Sequence, residues 1–131
     1  MIKPVYFFRL YLLCLTMVFA MSVLIACGGE EIEGLGVGSG TVPEFSWSGS
    51  NIAAIWVEVS ADEGTEVWRL ACGADENCIS SPIRYGEQPD GTQAATEPAD
   101  LTEGQTYHVT VSRLNGILAA DVTTATQEFT P

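Results

Sequence analysis

The amino-acid sequence predicts an all-β protein: a single antiparallel sandwich of about seven strands, preceded by an export signal and a flexible tether. Two observations support this fold class. From Thr41 onward, apolar residues alternate with polar ones at a period of two, and clusters of Gly, Asn, Asp and Pro separate the alternating runs. The chain has 131 residues, which is enough for one domain and too few for two.

The first 26 residues are typical of an export signal. A short basic segment, residues 1–9, precedes an uncharged apolar run over residues 10–26, as in the n-region and h-region of exported proteins. The run ends in Leu24-Ile25-Ala26-Cys27, which resembles the lipobox of bacterial lipoproteins. This resemblance implies that a signal peptidase cleaves before Cys27 and that Cys27 carries the lipid that contacts the membrane.

The same resemblance implies a place in the bacterial cell envelope. Gly28 follows the cysteine, where a lipoprotein retained in the inner membrane has Asp, so the outer membrane is the expected location, facing the periplasm or the exterior. Two alternatives stay open. The apolar run could persist as a membrane-spanning anchor, or Val18-Phe19-Ala20 could be an ordinary cleavage site that releases a soluble exported protein.

Residues 27–40 are expected to form the tether, and residues 41–131 the sandwich domain. Glycine at alternate positions from Gly34 to Gly40 raises the entropy cost of ordering, and the neighbouring glutamates keep the segment solvated. A flexible chain of this length spans roughly 20 Å on average. We therefore expect the first edge strand of the sandwich to be weak or absent.

The strands are predicted in order from their alternating patterns. Phe45 and Trp47 share the inward face of the first run, and Ile55, Val57 and Val59 share the inward face of the second. A turn at residues 61–64 separates this run from a third, centred on residues 66–70.

The second half of the domain continues the pattern. Residues 79–85 are expected to form a short strand weakened by Pro82, and residues 92–101 are extended at best. Residues 107–114 show the clearest alternation. Asn115-Gly116 is the strongest hairpin signal in the chain, and residues 117–129 return as the final strand.

Cys72 and Cys78 are the two cysteines that remain after signal removal and lipidation of Cys27. In an oxidising compartment we expect them to form a disulfide. A structural zinc site needs about four ligands, whereas the chain has a single histidine, His108. Redox pairs usually have two intervening residues rather than five. We therefore predict no metal site and no cofactor.

Three segments together resemble a fibronectin type III domain over residues 43–129. They are Phe45-Ser46-Trp47, residues 55–59 and residues 101–111. Leu101, Gly104 and Tyr107 resemble the tyrosine corner of that family, in which the ring packs inward and its hydroxyl bonds upstream backbone. Glu103 replaces the proline usual in the family. The resemblance implies a fold and a generic role in spacing or binding, and no chemistry.

The charge and the residue types exclude several function classes. Residues 27–131 contain three arginines and 17 acidic residues, a net charge of −14, which repels nucleic-acid phosphates. The same segment lacks lysine and the Gly-x-Ser-x-Gly motif, and no acidic spacing matches a calcium loop. We therefore expect a protein that is not an enzyme and has no catalytic residues.

Two tryptophans are the candidates for binding. Trp56 alternates with the inward residues of its run and is expected to contact water; Trp68 would join it if the two strands pair. Such a patch would stack on an uncharged sugar or a partner's side chain, unless the cysteine loop or the tether covers it. The expected function is a lipid-anchored structural or protein-interaction module. The alternative is a ligand-binding lipoprotein, with a glycan as one candidate ligand.

Overall fold

A computed structural model describes residues 31–48, 53–115 and 122–131. These residues form two antiparallel sheets packed as a sandwich, which confirms the predicted all-β fold. There are eight strands where about seven were expected, and no helix in the described ranges is long and apolar enough to cross a membrane. The predicted signal peptide, the lipobox and Gly116 of the predicted turn lie outside the described residues.

The smaller sheet has three strands: β1 (Glu33–Val37), β2 (Glu44–Ser48) and β5 (Ile83–Arg84), in the order β1-β2-β5. The larger sheet has five strands: β3 (Trp56–Ala61), β4 (Glu66–Cys72), β6 (Thr92–Thr96), β7 (Tyr107–Leu114) and β8 (Val122–Phe129). Their order is β6-β4-β3-β7-β8. The chain thus leaves the larger sheet after β4 for the short β5 and then returns to it.

The tether prediction is wrong for Glu33–Val37, which form β1 and pair antiparallel with β2. The register shifts between Glu33 and Gly36, and Gly34 there has a φ of 59°. Glycine adopts this left-handed conformation without a steric penalty, which allows a bulge at the edge of the sheet. The same glycine is the reason to predict a flexible chain here. Ile32 is buried, and Leu35 and Val37 pack against the core.

The core lies between the two sheets and is built by the alternation that the sequence predicts. The inward residues of β2, β3 and β7 are almost completely shielded from solvent: Phe45, Trp47, Val57, Val59, Val109 and Val111. The outward neighbours of these residues are exposed or half-buried, apart from Ser112, which is buried. Burial of each aliphatic side chain contributes about 1.5–3 kcal/mol, so these positions supply much of the driving force for folding.

A continuous series of five aromatic rings joins the sheets. Tyr85 packs edge-on against Trp68, with ring centroids 5.1 Å apart, and Trp68 stacks on Phe45 at 6.3 Å. Phe45 meets Phe129 edge-on at 5.7 Å, and Phe129 stacks on Tyr107 at 5.8 Å. Phe45 belongs to the small sheet, whereas Trp68, Phe129 and Tyr107 belong to the large one. The series therefore fixes how the sheets lie on each other.

The segment before β7 has the geometry of a tyrosine corner. Tyr107 is buried, and its hydroxyl oxygen accepts a hydrogen bond from the backbone N–H of Thr102 at 3.0 Å. Leu101 is buried, and Gly104 has a φ of 78°, which favours glycine in the turn between them. The hydroxyl thus satisfies a backbone donor that the turn itself leaves without a partner.

Cys72 and Cys78 form a disulfide, with their Cα atoms 5.8 Å apart. The loop between them is also fixed to β7 by Asn77, whose side-chain N–H donates to the Leu114 carbonyl. The Asn77 side-chain oxygen accepts from the Leu114 N–H, and both distances are 2.9 Å. The Asn77 side chain therefore pairs with the backbone of Leu114, at the end of β7, as a neighbouring strand would.

The strands run between two ends of the sandwich, the disulfide end and the tyrosine-corner end. The disulfide end comprises the start of β1, the end of β2, the start of β3, the loop 72–78, Leu114 and Val122. The tyrosine-corner end comprises residues 38–43, the turn 62–64, residues 98–106 and Pro131.

Replacing Tyr107 with Phe tests the tyrosine corner, since it removes the hydroxyl and keeps the ring. The Thr102 N–H loses its acceptor, so the free energy of unfolding should fall by about 1 kcal/mol. The fall is measured by urea denaturation. An unchanged midpoint would mean that Tyr107 contributes through packing alone.

Replacing both Cys72 and Cys78 with Ala tests the disulfide. Loss of this short closed loop should lower the free energy of unfolding by about 2 kcal/mol and leave the domain folded. The loss is measured by thermal and urea denaturation, after peptide mapping without reductant has shown the two cysteines joined in the parent protein. Two free thiols in the exported parent would contradict the assignment.

Candidate binding surface

The outer face of the large sheet carries the most varied group of side chains in the described structure. Cross-strand partners share a face of a sheet, and Glu58 lies opposite both Arg69 and Thr110. Trp56, two residues before Glu58, lies on the same face and opposite Ser112. An aromatic ring, a cation, a carboxylate and hydroxyls are therefore collected on one side of β3, β4 and β7.

Arg69 is the centre of this surface. Its guanidinium carbon lies 5.5 Å from the centroid of the Trp56 ring, which is a cation–π contact. The guanidinium is 3.8 Å from the Glu58 carboxylate and 3.7 Å from that of Glu66. The Arg69 side chain is 37% exposed, so each ion pair contributes little to stability. The contacts instead fix the position of the cation over the ring.

Neighbouring hydroxyls orient the two carboxylates. Ser60 Oγ donates to Glu58 Oε1 at 3.1 Å, and Thr96 Oγ1 donates to Glu66 Oε1. Ser112, opposite Trp56, is fully buried, and its hydroxyl has no hydrogen-bond partner within the described residues. The hydroxyls of Ser60 and Thr96 thus hold the two carboxylates beside Arg69.

The predicted patch of two exposed tryptophans is wrong, because Trp68 is only 1% exposed. Trp68 lies opposite Val59 in the β3–β4 pairing, and Val59 faces the core. Trp56 lies opposite Ala71 and stays half-buried on the outer face. The sequence contained the relevant signal, since Trp68 is two residues from Leu70 and must share its inward face. Trp47 is 6% exposed and lies in the core, as predicted.

Arg69 was not singled out by the sequence analysis. Its approach to Trp56 depends on the pairing register of β3 and β4, which places Arg69 opposite Glu58 and Trp56 opposite Ala71. No spacing within either strand signals such a contact, because the two residues lie 13 positions apart in different strands. Val67, two residues before Arg69 in β4, is half-buried against the core.

A second feature is an open cleft of about 360 Å³ at the tyrosine-corner end. Thr41 and Val42 line one part of it, and Tyr85 and residues 98–101 line another. Val42 is 58% exposed there. The Tyr85 hydroxyl donates to the Ala99 carbonyl at 2.7 Å. Burial, and to a smaller extent the neighbouring Tyr107, raise the pKa of Tyr85 to about 12.

A third feature is an ion pair of the single histidine with an aspartate. His108 Nε2 lies 3.1 Å from Asp62 Oδ1 at the tyrosine-corner end, and both side chains have solvent access. No group of three or more His, Cys, Asp or Glu residues in the described ranges is arranged to hold a metal ion. Chemically, the outer face of the large sheet can stack on a planar or pyranose ring and form polar contacts around it.

Comparisons with protein-family models, with curated proteins and with solved structures find no match to this chain. The resemblances to a bacterial lipoprotein and to a fibronectin type III domain therefore stay predictions from the residues that carry them.

Replacing Trp56 with Phe tests the exposure of the three tryptophans. Trp56 is the one with solvent access, so the variant should lose most of the acrylamide quenching of the protein's fluorescence. Trp47→Phe is the matched control and should keep the quenching, because Trp47 lies in the core. Equal quenching of the parent and the Trp56 variant would contradict the assignment of faces.

The raised pKa of Tyr85 predicts a loss of stability at alkaline pH. In the unfolded chain a tyrosine loses its proton near pH 10, whereas folded Tyr85 keeps it until about pH 12. Deprotonation therefore favours the unfolded state as pH rises above 10. Relative to Tyr85→Phe, the parent should lose about 1 kcal/mol between pH 9 and pH 11. Urea denaturation of both proteins at the two pH values measures this loss. The same difference in unfolding free energy between parent and variant at pH 9 and pH 11 would contradict the prediction.

Proposed function

We propose that this protein is a lipid-anchored, non-catalytic module of the bacterial cell envelope, acting as a structural or interaction domain. One observation carries the proposal: four residues separate Cys27 of the lipobox-like sequence from Ile32, which is already buried in the sandwich. The attachment point and the folded domain are thus almost contiguous. Such a chain places a compact domain directly at a lipid surface.

Two further observations support an extracytoplasmic site. The Cys72–Cys78 disulfide suits an oxidising compartment, because thiols in the cytosol are kept reduced. The net charge of −14 over residues 27–131 keeps a small domain dispersed and repels anionic lipid headgroups. With Gly28 after the cysteine, we propose the outer membrane as the location, as an inference from the lipoprotein resemblance.

A second candidate function is binding of an uncharged ring, such as a sugar, at Trp56. The observation that favours it is the half-buried Trp56 ring on an open sheet face, held by Arg69 and flanked by ordered carboxylates. Oligosaccharide titration followed by Trp56 fluorescence would test this function. A saturable shift that Trp56→Phe abolishes supports it, and identical titrations of parent and variant contradict it.

Lipidation is tested by growth of an expressing bacterium with a radiolabelled fatty acid. The parent should carry the label, and Cys27→Ser should be unlabelled and remain at precursor size, since the thiol is the acceptor and defines the cleavage site. Cys14→Ser is the matched control: it changes a cysteine within the apolar run and should leave both label and cleavage intact. An unlabelled parent protein, or label that persists in Cys27→Ser, would contradict the proposal.

A further inference from the structure

The distance between the attachment point and the fold limits how the domain can lie on a membrane. A fully extended chain advances at most about 3.6 Å per residue. From Cys27 to the buried Ile32 there are five such steps, so the Ile32 Cα lies within about 18 Å of the lipidated residue. This limit is shorter than the predicted 27–40 tether would give, because β1 takes Glu33–Val37 into the sandwich.

Ile32 lies at the disulfide end of the sandwich. Glu33 opposite Ser48 is the first pair of β1 with β2, at the end of β2. At the same end, Trp56 begins β3 and Val122 lies opposite Leu114 in the β7–β8 pair. The disulfide end is therefore the part of the domain that the short connection holds near the lipid.

The tyrosine-corner end lies at the other extreme of the strands. β8 runs from Val122 to Phe129 without interruption, a length of about 24 Å. The turn 62–64 lies beyond this, since Ala61 pairs with Tyr107 and Tyr107 with Phe129. The open cleft and the exposed Val42 belong to this far end.

The charge of the domain favours an upright orientation on the membrane over one in which the domain lies on its side. Acidic residues lie at both ends of the domain: Asp62, Glu63, Asp100 and Glu103 at the far end, and Glu31, Glu33, Asp75 and Glu76 at the disulfide end, which the short connection holds near the lipid. The outer face of the large sheet carries Glu58, Glu66 and Glu128. An anionic lipid surface repels these groups within a Debye length of about 8 Å. A body of the same charge as the surface, held at one end, is rotated until its free end is farthest from that surface.

We propose that the disulfide end of the sandwich faces the lipid bilayer and that the tyrosine-corner end, with its cleft, points away from it. The orientation rests on the proposed lipid attachment at Cys27. The loop 72–78 and the start of β8 then lie next to the headgroups. A soluble partner meets the tyrosine-corner end first.

The experiment uses the full lipidated protein in vesicles of phosphatidylethanolamine and phosphatidylglycerol that contain an energy-acceptor lipid. A donor dye is attached through an unnatural amino acid at position 122 or at position 63, which leaves the disulfide untouched. Energy transfer from Val122 should exceed that from Glu63 at least about twofold, because the two sites differ by about 24 Å along the strands. The chain that begins at Gly28, which has neither the apolar run nor the lipid, is added to the same vesicles and gives the background.

Two comparisons separate the possible failures. Equal transfer, or greater transfer from position 63, in protein that floats with the vesicles would overturn the orientation and leave the anchor standing. Protein that does not float would overturn both proposals. Insertion of twelve Gly and Ser residues between Gly29 and Glu30 should remove most of the difference, whereas the same insertion after Pro131 should preserve it. Identical ratios in both insertion variants would contradict a constraint set by the length of the connection.

Discussion

The aromatic series Tyr85–Trp68–Phe45–Phe129–Tyr107 is the interaction on which the rest of the structure depends. A sandwich of this size has a small core, and large rings bury the most apolar area for each residue that must be ordered. Phe45 joins the three-stranded sheet to the other rings, so the small sheet is held mainly through β2. β1 and the short β5 are then positioned as neighbours of β2. β1 is therefore a structured strand because the core holds its neighbour β2 in place.

This dependence links the core to the proposed membrane attachment. Since β1 is held against β2, the chain between Cys27 and the fold shrinks to residues 28–31. An unpaired β1 would give a long, compliant tether and a freely rotating domain. Under the proposed lipid attachment, a paired β1 gives a short connection at one end, and the acidic residues of the rest of the domain favour an upright position. In that proposed orientation, packing inside the sandwich decides which end points away from the membrane.

Much of the fold could be predicted because alternation is local. Spacing alone predicts the inward face of Val57 and Val59 and of Val109 and Val111. The turn before β7 predicts the position of Tyr107. The edge strand β1 could not be predicted, since its glycines have low intrinsic strand preference and order only through pairing with β2. The burial of Trp68 also follows from local spacing, since Trp68 lies two residues from Leu70 and shares its inward face. The contact of Arg69 with Trp56 required the pairing register of β3 and β4, which no single strand encodes.

The central claim is that the folded domain begins at Ile32, and amide hydrogen exchange of residues 31–40 tests it most directly. We predict that the β1 amides that bond β2, and the Gly38 N–H that donates to the Glu44 carbonyl, exchange about a hundredfold or more slowly than in an unfolded peptide. Gly40, beyond the strand, serves as an internal comparison and should exchange faster. Exchange at unfolded-peptide rates throughout residues 31–40, with β2 protected, would contradict the claim and restore a long flexible tether.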